Sequence, residues 1–109
     1  MTTIWYRVRD LDSARKFYAR TLGFTVKVLD ADEEWVVLEC GNASVGLTLG
    51  EPEADGAVAH VDVPDVRHVA EDLRANGVDV GVVFELHGEM RLLDVFDPDG
   101  NRVQFAQEL

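Results

Sequence analysis

The chain has 109 residues, of which 21 are acidic and 10 are basic, so its formal net charge is -11. Binding to a phosphate backbone needs clustered lysine and arginine side chains, and this charge therefore argues against nucleic acid as a partner. An apolar fraction of 47% is enough for a folded core within one domain. No segment approaches the roughly 20 apolar residues of a membrane span, which predicts no membrane contact and a cytoplasmic location.

The chain divides into two halves that repeat one pattern of elements. In each half a β-like run comes first, a helix with a 3.6-residue apolar period follows, and three further β-like runs complete the pattern. A segment rich in Gly, Pro and acidic residues, 51–56, is the predicted linker between the halves. In chain order, the predicted strands and helices cover residues 3–9, 11–22, 24–30, 34–40, 44–50, 57–63, 65–76, 79–85, 90–96 and 102–107.

Both predicted helices have matching signals at their ends. Asp10 or Asp12 in the first half, and Asp65 in the second, are suited to accept hydrogen bonds at a helix N-terminus. Gly23 and Gly77 stand where the C-terminus of a helix favours a residue with a left-handed backbone. The same type of helix is therefore expected at the same place in each half.

These elements predict a single α+β domain built from two βαβββ modules, about residues 1–50 and 57–109. Each helix would cover one face of a four-stranded sheet, and the uncovered faces of two curved mixed sheets would enclose a shared cleft. The sheet edges of such an arrangement need cover, which favours a homodimer. The sequence leaves open whether the modules pair within one chain or across two.

Several motifs are shared with a known superfamily: Phe17-Tyr18 and Leu22-Gly23-Phe24 around the first helix, and Asp97-Pro98-Asp99-Gly100-Asn101 before the last strand. With them the chain resembles the vicinal oxygen chelate superfamily, which contains glyoxalase I, extradiol dioxygenases, fosfomycin-modifying enzymes and bleomycin resistance proteins. The stretch 88–101 is most similar to the bleomycin resistance branch. The resemblance to that branch implies an acidic, metal-free dimer that traps a cationic aromatic drug, although His87 stands where the branch commonly has Trp.

In the metalloenzymes of this superfamily, four strands supply four ligands, usually His, Glu, His and Glu. The resemblance carries these ligand positions to Thr3, Gly46 or Thr48, Val58 and Gln104. A catalytic divalent metal needs about three ligands drawn from imidazole, thiolate or carboxylate groups. We therefore expect the usual metal site to be lost, and we predict no cofactor, no metal ligand and no catalytic residue.

The alternative hypothesis is a metal-dependent lyase, isomerase or dioxygenase with an atypical site. His60 and Asp62 lie two residues apart and face the same side of a strand, and with Gln104 they are the candidate ligands of a displaced metal site. A metal-free enzyme with His60 as general base and Asp62 orienting it is also open. No nucleophile or oxyanion donor accompanies them in the sequence.

Alternation along the strands predicts a cleft lined by aromatic and apolar surface with a few polar groups. Trp5 and Phe96 are suited to stack on a flat or cationic ligand, and Asp62 and Asp94 would favour a positive charge. The predicted ligand-binding residues are Trp5, Arg7, Thr48, His60, Asp62, Leu92, Asp94, Phe96 and Gln104. Among them, Leu92, Asp94 and Phe96 are implied by the resemblance to fosfomycin-binding relatives, and Thr48 by the carried-over ligand positions.

Two positions stay open at this point. Arg7 is expected either to contact the ligand or to pair with Asp62, and Trp35 belongs either to the core or to the cleft. The predicted function is a metal-free small-molecule-binding protein that holds an aromatic compound, with or without positive charge, and that sequesters a drug or acts as a carrier.

Overall fold

A computed structural model of the chain describes residues 2–53 and 56–109. Ala54 and Asp55 of the predicted linker lie outside the described residues, as does Met1. A π-helical segment, Phe17–Thr21, continues the first helix. The strands and α-helices are β1 (Thr3–Val8), α1 (Leu11–Lys16), β2 (Thr25–Leu29), β3 (Trp35–Cys40), β4 (Ala43–Leu49), β5 (Ala59–Asp62), α2 (Val66–Ala75), β6 (Phe84–Leu86), β7 (Met90–Phe96) and β8 (Arg102–Glu108).

The strands form two four-stranded sheets with the same topology, β1-β4-β3-β2 and β5-β8-β7-β6. In each sheet the first strand of the module pairs in parallel with the last one, and the other pairs are antiparallel. The α+β fold is thus confirmed, and the sheets are consistent with two βαβββ modules. No helix in the described part of the chain is long and apolar enough to cross a membrane.

Each helix covers one face of its sheet because its apolar residues fall on one side. The Asp10 carboxylate accepts a hydrogen bond from the backbone N–H of Ser13 at 3.1 Å, and Asp65 accepts one from His68 at 3.2 Å. These caps satisfy N–H groups that the first turn leaves without a partner. Both helices bury side chains in the core: Leu11 and Ala14 in α1, and Val66, Ala70 and Leu73 in α2.

The first helical region departs from the predicted α-helix over 11–22. After α1 the chain widens into the π-helical segment, whose exit is marked by a hydrogen bond of 3.1 Å from Leu22 N–H to the Phe17 carbonyl five residues back. Such segments change the direction of the side chains that follow. Tyr18, in this segment, is fully buried, and its hydroxyl reaches Asp97 in the other module at 2.9 Å.

The sixth strand is shorter and later than predicted, at Phe84–Leu86 rather than 79–85. It pairs with β7 through a hairpin whose turn includes His87 and Gly88, at φ values of 54° and 70°. Two such left-handed residues are typical of a tight hairpin turn. The alternating apolar residues before β6 pack against the core and are not part of a strand. Three of them are partly buried valines: Val78, Val80 and Val83.

The Tyr6 hydroxyl joins the two modules within one chain. It accepts a hydrogen bond of 2.7 Å from the Ala59 backbone N–H at the start of β5 and donates one to the Arg102 carbonyl at the start of β8. Burial raises the pKa of Tyr6 to about 12, so the hydroxyl stays protonated and keeps both bonds at neutral pH. A single side chain of the first sheet thus fixes two strands of the second.

Asn42, in the turn between β3 and β4, makes a second junction. Its side-chain oxygen accepts a hydrogen bond of 2.8 Å from the Asp62 N–H, and its amide donates one of 3.1 Å to the His60 carbonyl. These bonds satisfy the backbone of β5, the outer strand of the second sheet. In this structure the modules therefore pair inside one chain, a point that the sequence left open.

Replacing Tyr6 with Phe tests the first junction. The buried Ala59 N–H and Arg102 carbonyl would each lose a partner, and an unsatisfied buried polar group costs about 1–3 kcal/mol. We expect Tyr6→Phe to lower the free energy of unfolding in urea by about 1–3 kcal/mol. Thr25→Val, which removes an exposed hydroxyl from β2, serves as the control and should change it by less than about 0.5 kcal/mol. Equal stability of the two variants would contradict the role given to Tyr6.

Candidate functional site

A cavity lies at the end of the first sheet, beside the linker and the turn that precedes β8. Its volume is about 540 Å³, which is within the range of small-molecule sites. Side chains of β1, β3 and β4 form one side of it, and the linker and the turn form the other. The lining residues are Trp5, Tyr6, Arg7, Trp35, Thr48, Glu53, Gly56 and Asn101.

Two tryptophans give the cavity an aromatic wall. The ring centroids of Trp5 and Trp35 are 6.2 Å apart and the rings are inclined by 70°, an edge-to-face contact. Trp5 is 50% exposed, although it lies in a central part of β1. Trp35 is half-buried and lines the same cavity, which assigns to the cleft a residue that sequence patterning left undecided.

The Trp5 ring lies directly on the backbone of Gly46, its partner in the β1–β4 register. A Cβ atom built at Gly46 would lie 2.5 Å from Cδ2 and 2.7 Å from Cζ3 of the indole, well inside the normal contact distance of carbon atoms. Glycine is therefore required here by the close approach of the ring. The indole in turn covers the place where a longer side chain at residue 46 would stand.

One ion pair lies at the mouth of the cavity. The Arg7 guanidinium, at Nη1, is 3.2 Å from Oε1 of Glu53 in the linker, and both side chains are more than half exposed. The Arg7 stem passes beside Gly50, where a Cβ atom would be 3.2 Å from Cδ of the arginine. Arg7 thus pairs with Glu53, and the alternative of pairing with Asp62 is wrong.

The wall formed by the turn before β8 is rigid because its polar groups are satisfied. The buried Asp97 carboxylate accepts hydrogen bonds from the Tyr18 hydroxyl and from the backbone and side chain of Asn101, each at 2.9 Å. The Asn101 amide also donates to the Arg7 carbonyl at 3.1 Å, which ties the turn to β1. Burial, followed by the nearby Asp97 charge, raises the pKa of Tyr18.

A second cavity of about 320 Å³ adjoins the first and shares Glu53, Gly56 and Asn101 with it. Phe96, a predicted ligand-binding residue, lines this second cavity and is 55% exposed. Val58, at the predicted third ligand position of a metal, lines it as well. Trp5 and Phe96 thus stand in neighbouring cavities rather than around one.

His60 and Asp62 lie outside the lining of these two cavities. They pair with each other, with His60 Nε2 3.4 Å from Asp62 Oδ1, and both side chains are largely exposed. Their backbones are the groups that Asn42 binds at the module junction. Neither residue is placed against the aromatic wall with which the sequence grouped them.

Asp94 and Gln104 form a polar pair on the second sheet. The Gln104 amide donates to Asp94 at 3.1 Å, and Asp94 also lies 3.6 Å from the Arg102 guanidinium. Leu92, on the same strand as Asp94, is buried. Of the nine predicted residues, the structure places Trp5, Arg7 and Thr48 together in the lining of the 540 Å³ cavity.

The four positions that would hold the superfamily's metal do not fit one. The Thr3 hydroxyl is hydrogen-bonded to Ser44 Oγ at 2.9 Å, the Trp5 ring covers Gly46, Val58 has no donor atom, and the Gln104 amide is bonded to Asp94. Between residues 2 and 53 and between 56 and 109, no group of three or more His, Cys, Asp or Glu side chains is arranged to hold an ion. The displaced site at His60, Asp62 and Gln104 includes only two side chains of these types.

Comparison with known proteins identifies the family. The sequence profile of the Glyoxalase/Bleomycin resistance protein/Dioxygenase superfamily matches residues 2–105. The chain belongs to this superfamily. Membership of it fits small-molecule binding, but the superfamily's fold carries enzymes as well as binding proteins. A search of curated proteins finds no match to the chain.

Solved structures of the superfamily's fold superpose over nearly the whole chain. An integron cassette protein from the mobile metagenome of the Halifax Harbour sewage outfall gives a TM-score of 0.85 at 20% identity, covering 98% of this chain and 97% of its own. The bleomycin resistance determinant encoded on the transposon Tn5 gives a TM-score of 0.82 at 19% identity, covering 99% of this chain and 97% of its own. TnmS3, an antibiotic binding protein from Streptomyces sp. CB03234, gives a TM-score of 0.81 at 22% identity, covering 98% of this chain and 93% of its own. At these identities the likeness establishes the fold alone.

Sequence reasoning missed Glu53 as a residue of the site. Glu53 was assigned only to the linker, and nothing in the local pattern indicates that the linker passes beside β1. A signal was available for the tryptophans, because Trp35 starts the strand that pairs with β4 in the register Trp35–Thr48. Thr48 and Trp35 therefore share a sheet face, as the antiparallel pairing requires.

Replacing Gly46 with Ala tests the contact with Trp5. The new methyl group would overlap the indole, so we expect the ring to move, the tryptophan fluorescence spectrum to change and the free energy of unfolding to fall by about 1–3 kcal/mol. Gly81→Ala is the matched control, because no atom lies within 4 Å of a Cβ there. If the two variants gave the same spectrum and stability, Trp5 would not lie on Gly46 in solution.

Proposed function

We propose that the protein is a metal-free small-molecule-binding protein whose ligand carries an aromatic group. The cavity lined by Trp5 and Trp35 supports this most directly, since it offers about 540 Å³ of space beside an exposed indole face. Flat aromatic groups stack on such faces with about 0.5–1.5 kcal/mol beyond the burial of apolar area. Capture of the ligand would serve to sequester a drug or to carry it.

Two neighbours of similar fold are described as a bleomycin resistance determinant and an antibiotic binding protein, which agrees with capture rather than chemistry. The chemistry of the donor set agrees as well. Where a metalloenzyme needs imidazole or carboxylate ligands, this chain has a hydroxyl, a glycine, a valine and an amide. The metal-dependent lyase, isomerase or dioxygenase is the hypothesis that the experiment below must exclude.

Calorimetric titration with a panel of basic aromatic antibiotics, together with elemental analysis of the purified protein, tests this proposal. We expect at least one compound to bind, and we expect Trp5→Ala to weaken that binding by about tenfold through lost stacking and apolar contact. Val82→Ala is the control, because Val82 is an 83% exposed apolar residue outside the lining of this cavity. A transition metal at one equivalent per chain, or no binding by any compound, would contradict the proposal.

We propose also that two copies of the chain form a homodimer. One edge strand of each sheet, β2 in the first and β6 in the second, exposes apolar side chains whose residues are more than 40% accessible: Val28, Leu29, Phe84 and Leu86. Open strand edges of this kind are normally covered by another chain or blocked by charges. A cytoplasmic location and a part in antibiotic resistance stay predictions.

Light scattering coupled to size-exclusion chromatography measures the oligomeric state. We expect a mass twice the 12.1 kDa of one chain, and we expect Val28→Lys in β2 to shift the protein towards the monomer because it places a charge in the apolar edge. Val82→Lys serves as the control, since Val82 is 83% exposed and lies outside the strands. A wild-type protein that stays monomeric at every concentration would overturn the dimer.

A further inference from the structure

Among the described residues that line the cavity of Trp5 and Trp35, Arg7 and Glu53 are charged. Arg7 follows Trp5 by two residues on β1, so the two side chains leave the same face of the sheet. Glu53 approaches from the linker and meets the guanidinium at 3.2 Å. An acidic group, a basic group and an exposed indole therefore meet at one opening.

This ion pair is easily exchanged. Its side chains are 55% and 59% exposed, and ion pairs between such solvated groups contribute little to stability and weaken further in salt. A charged group on a bound ligand can therefore replace one partner without a large loss. The question is which of the two partners is replaced.

Three observations favour replacement of Arg7 by a cation. The chain has a net charge of -11, which attracts positively charged molecules. The indole rings of Trp5 and Trp35 line the cavity, and a cation is attracted to the electron-rich face of an indole. The guanidinium that already occupies the carboxylate of Glu53 is itself a planar cation at this opening. An anion, in contrast, would have to lie beside Glu53 in a strongly negative protein.

Resting on the proposed function, we propose that Glu53 is the specificity-determining residue of the cavity and that it pairs with a positively charged group of the aromatic ligand. Arg7 occupies this carboxylate in the free protein and is displaced by the ligand. Arg7 is thus a competitor of the ligand's cation rather than a binding group for it. The class of ligand is an aromatic compound bearing an ammonium, guanidinium or similar cationic group.

Three probes with one ring system and different charge separate this inference from the proposed function: naphthylmethylammonium, naphthylmethanol and naphthylacetate. In calorimetric titration, the wild-type protein should bind the ammonium more tightly than the alcohol, and the alcohol more tightly than the carboxylate. Glu53→Gln should weaken binding of the ammonium about three- to fivefold and leave the alcohol unchanged. Glu51→Gln is the matched control, because Glu51 lies in the same linker but pairs with Arg9 outside the cavity lining.

Arg7→Gln gives the most distinctive result. Removal of the competing guanidinium should tighten binding of the ammonium about three- to fivefold, with little effect on the alcohol. Arg9→Gln removes an arginine at the end of the same strand that pairs with Glu51 and Asp99, and should change neither probe. A higher concentration of sodium chloride should lower the affinity for the ammonium probe and leave the affinity for the alcohol probe unchanged.

The outcomes distinguish the two proposals. The cation inference is overturned if the ammonium probe binds no more tightly than the alcohol probe. It is also overturned if Arg7→Gln lowers the affinity for the ammonium probe as Glu53→Gln does. In both cases the proposal of aromatic binding stands. If none of the three probes binds, the proposed function is overturned and the inference with it. Each variant should unfold at the same midpoint temperature as the wild-type protein, which shows that the affinities compared are those of folded protein.

Discussion

The contact between the Trp5 indole and the backbone of Gly46 governs the character of the site. Parallel pairing of β1 with β4 sets these residues side by side, and the absence of a side chain at Gly46 lets the ring lie flat on the strand. The same contact removes a position from which a metal ligand would project and replaces it with an aromatic surface. In the proposed function, stacking on this surface takes the place of ion coordination.

The two modules share a topology but have different surfaces on their uncovered faces. Across the first sheet, Trp5 and Gly46 lie in one row, and across the second the equivalent row is His60, Gln104 and Asp94. Those polar side chains are engaged with partners within their own module: His60 with Asp62, and Gln104 with Asp94. Polar groups that already have partners offer a ligand little net gain, because each new hydrogen bond replaces an existing one. The aromatic face of the first module is therefore the better binding surface.

The cavity depends on the junction as well as on the first sheet. Its far wall comes from the turn before β8, which the buried carboxylate of Asp97 holds together and which the Asn101 amide fastens to the Arg7 carbonyl. Tyr18 reaches the same carboxylate from the π-helical segment. In the superfamily to which this chain belongs, one fold carries both catalysis and binding. Here a wall whose polar groups are hydrogen-bonded faces a half-exposed indole.

The sequence by itself determined the two modules, the capped helices, most of the strands and the missing metal donors, because each of these depends on local periodicity or on the residue type at one position. It also assigned Trp5, Arg7 and Thr48 to the cleft side by alternation along their strands. Only the tertiary structure decided that Glu53 meets Arg7, that Trp35 joins Trp5, and that His60 and Asp62 pair away from them. These contacts depend on how the linker crosses β1 and on how one sheet meets the other. Packing brings residues that are far apart in the chain into contact at these places. A periodic pattern reports only on neighbouring residues, so it does not predict such contacts.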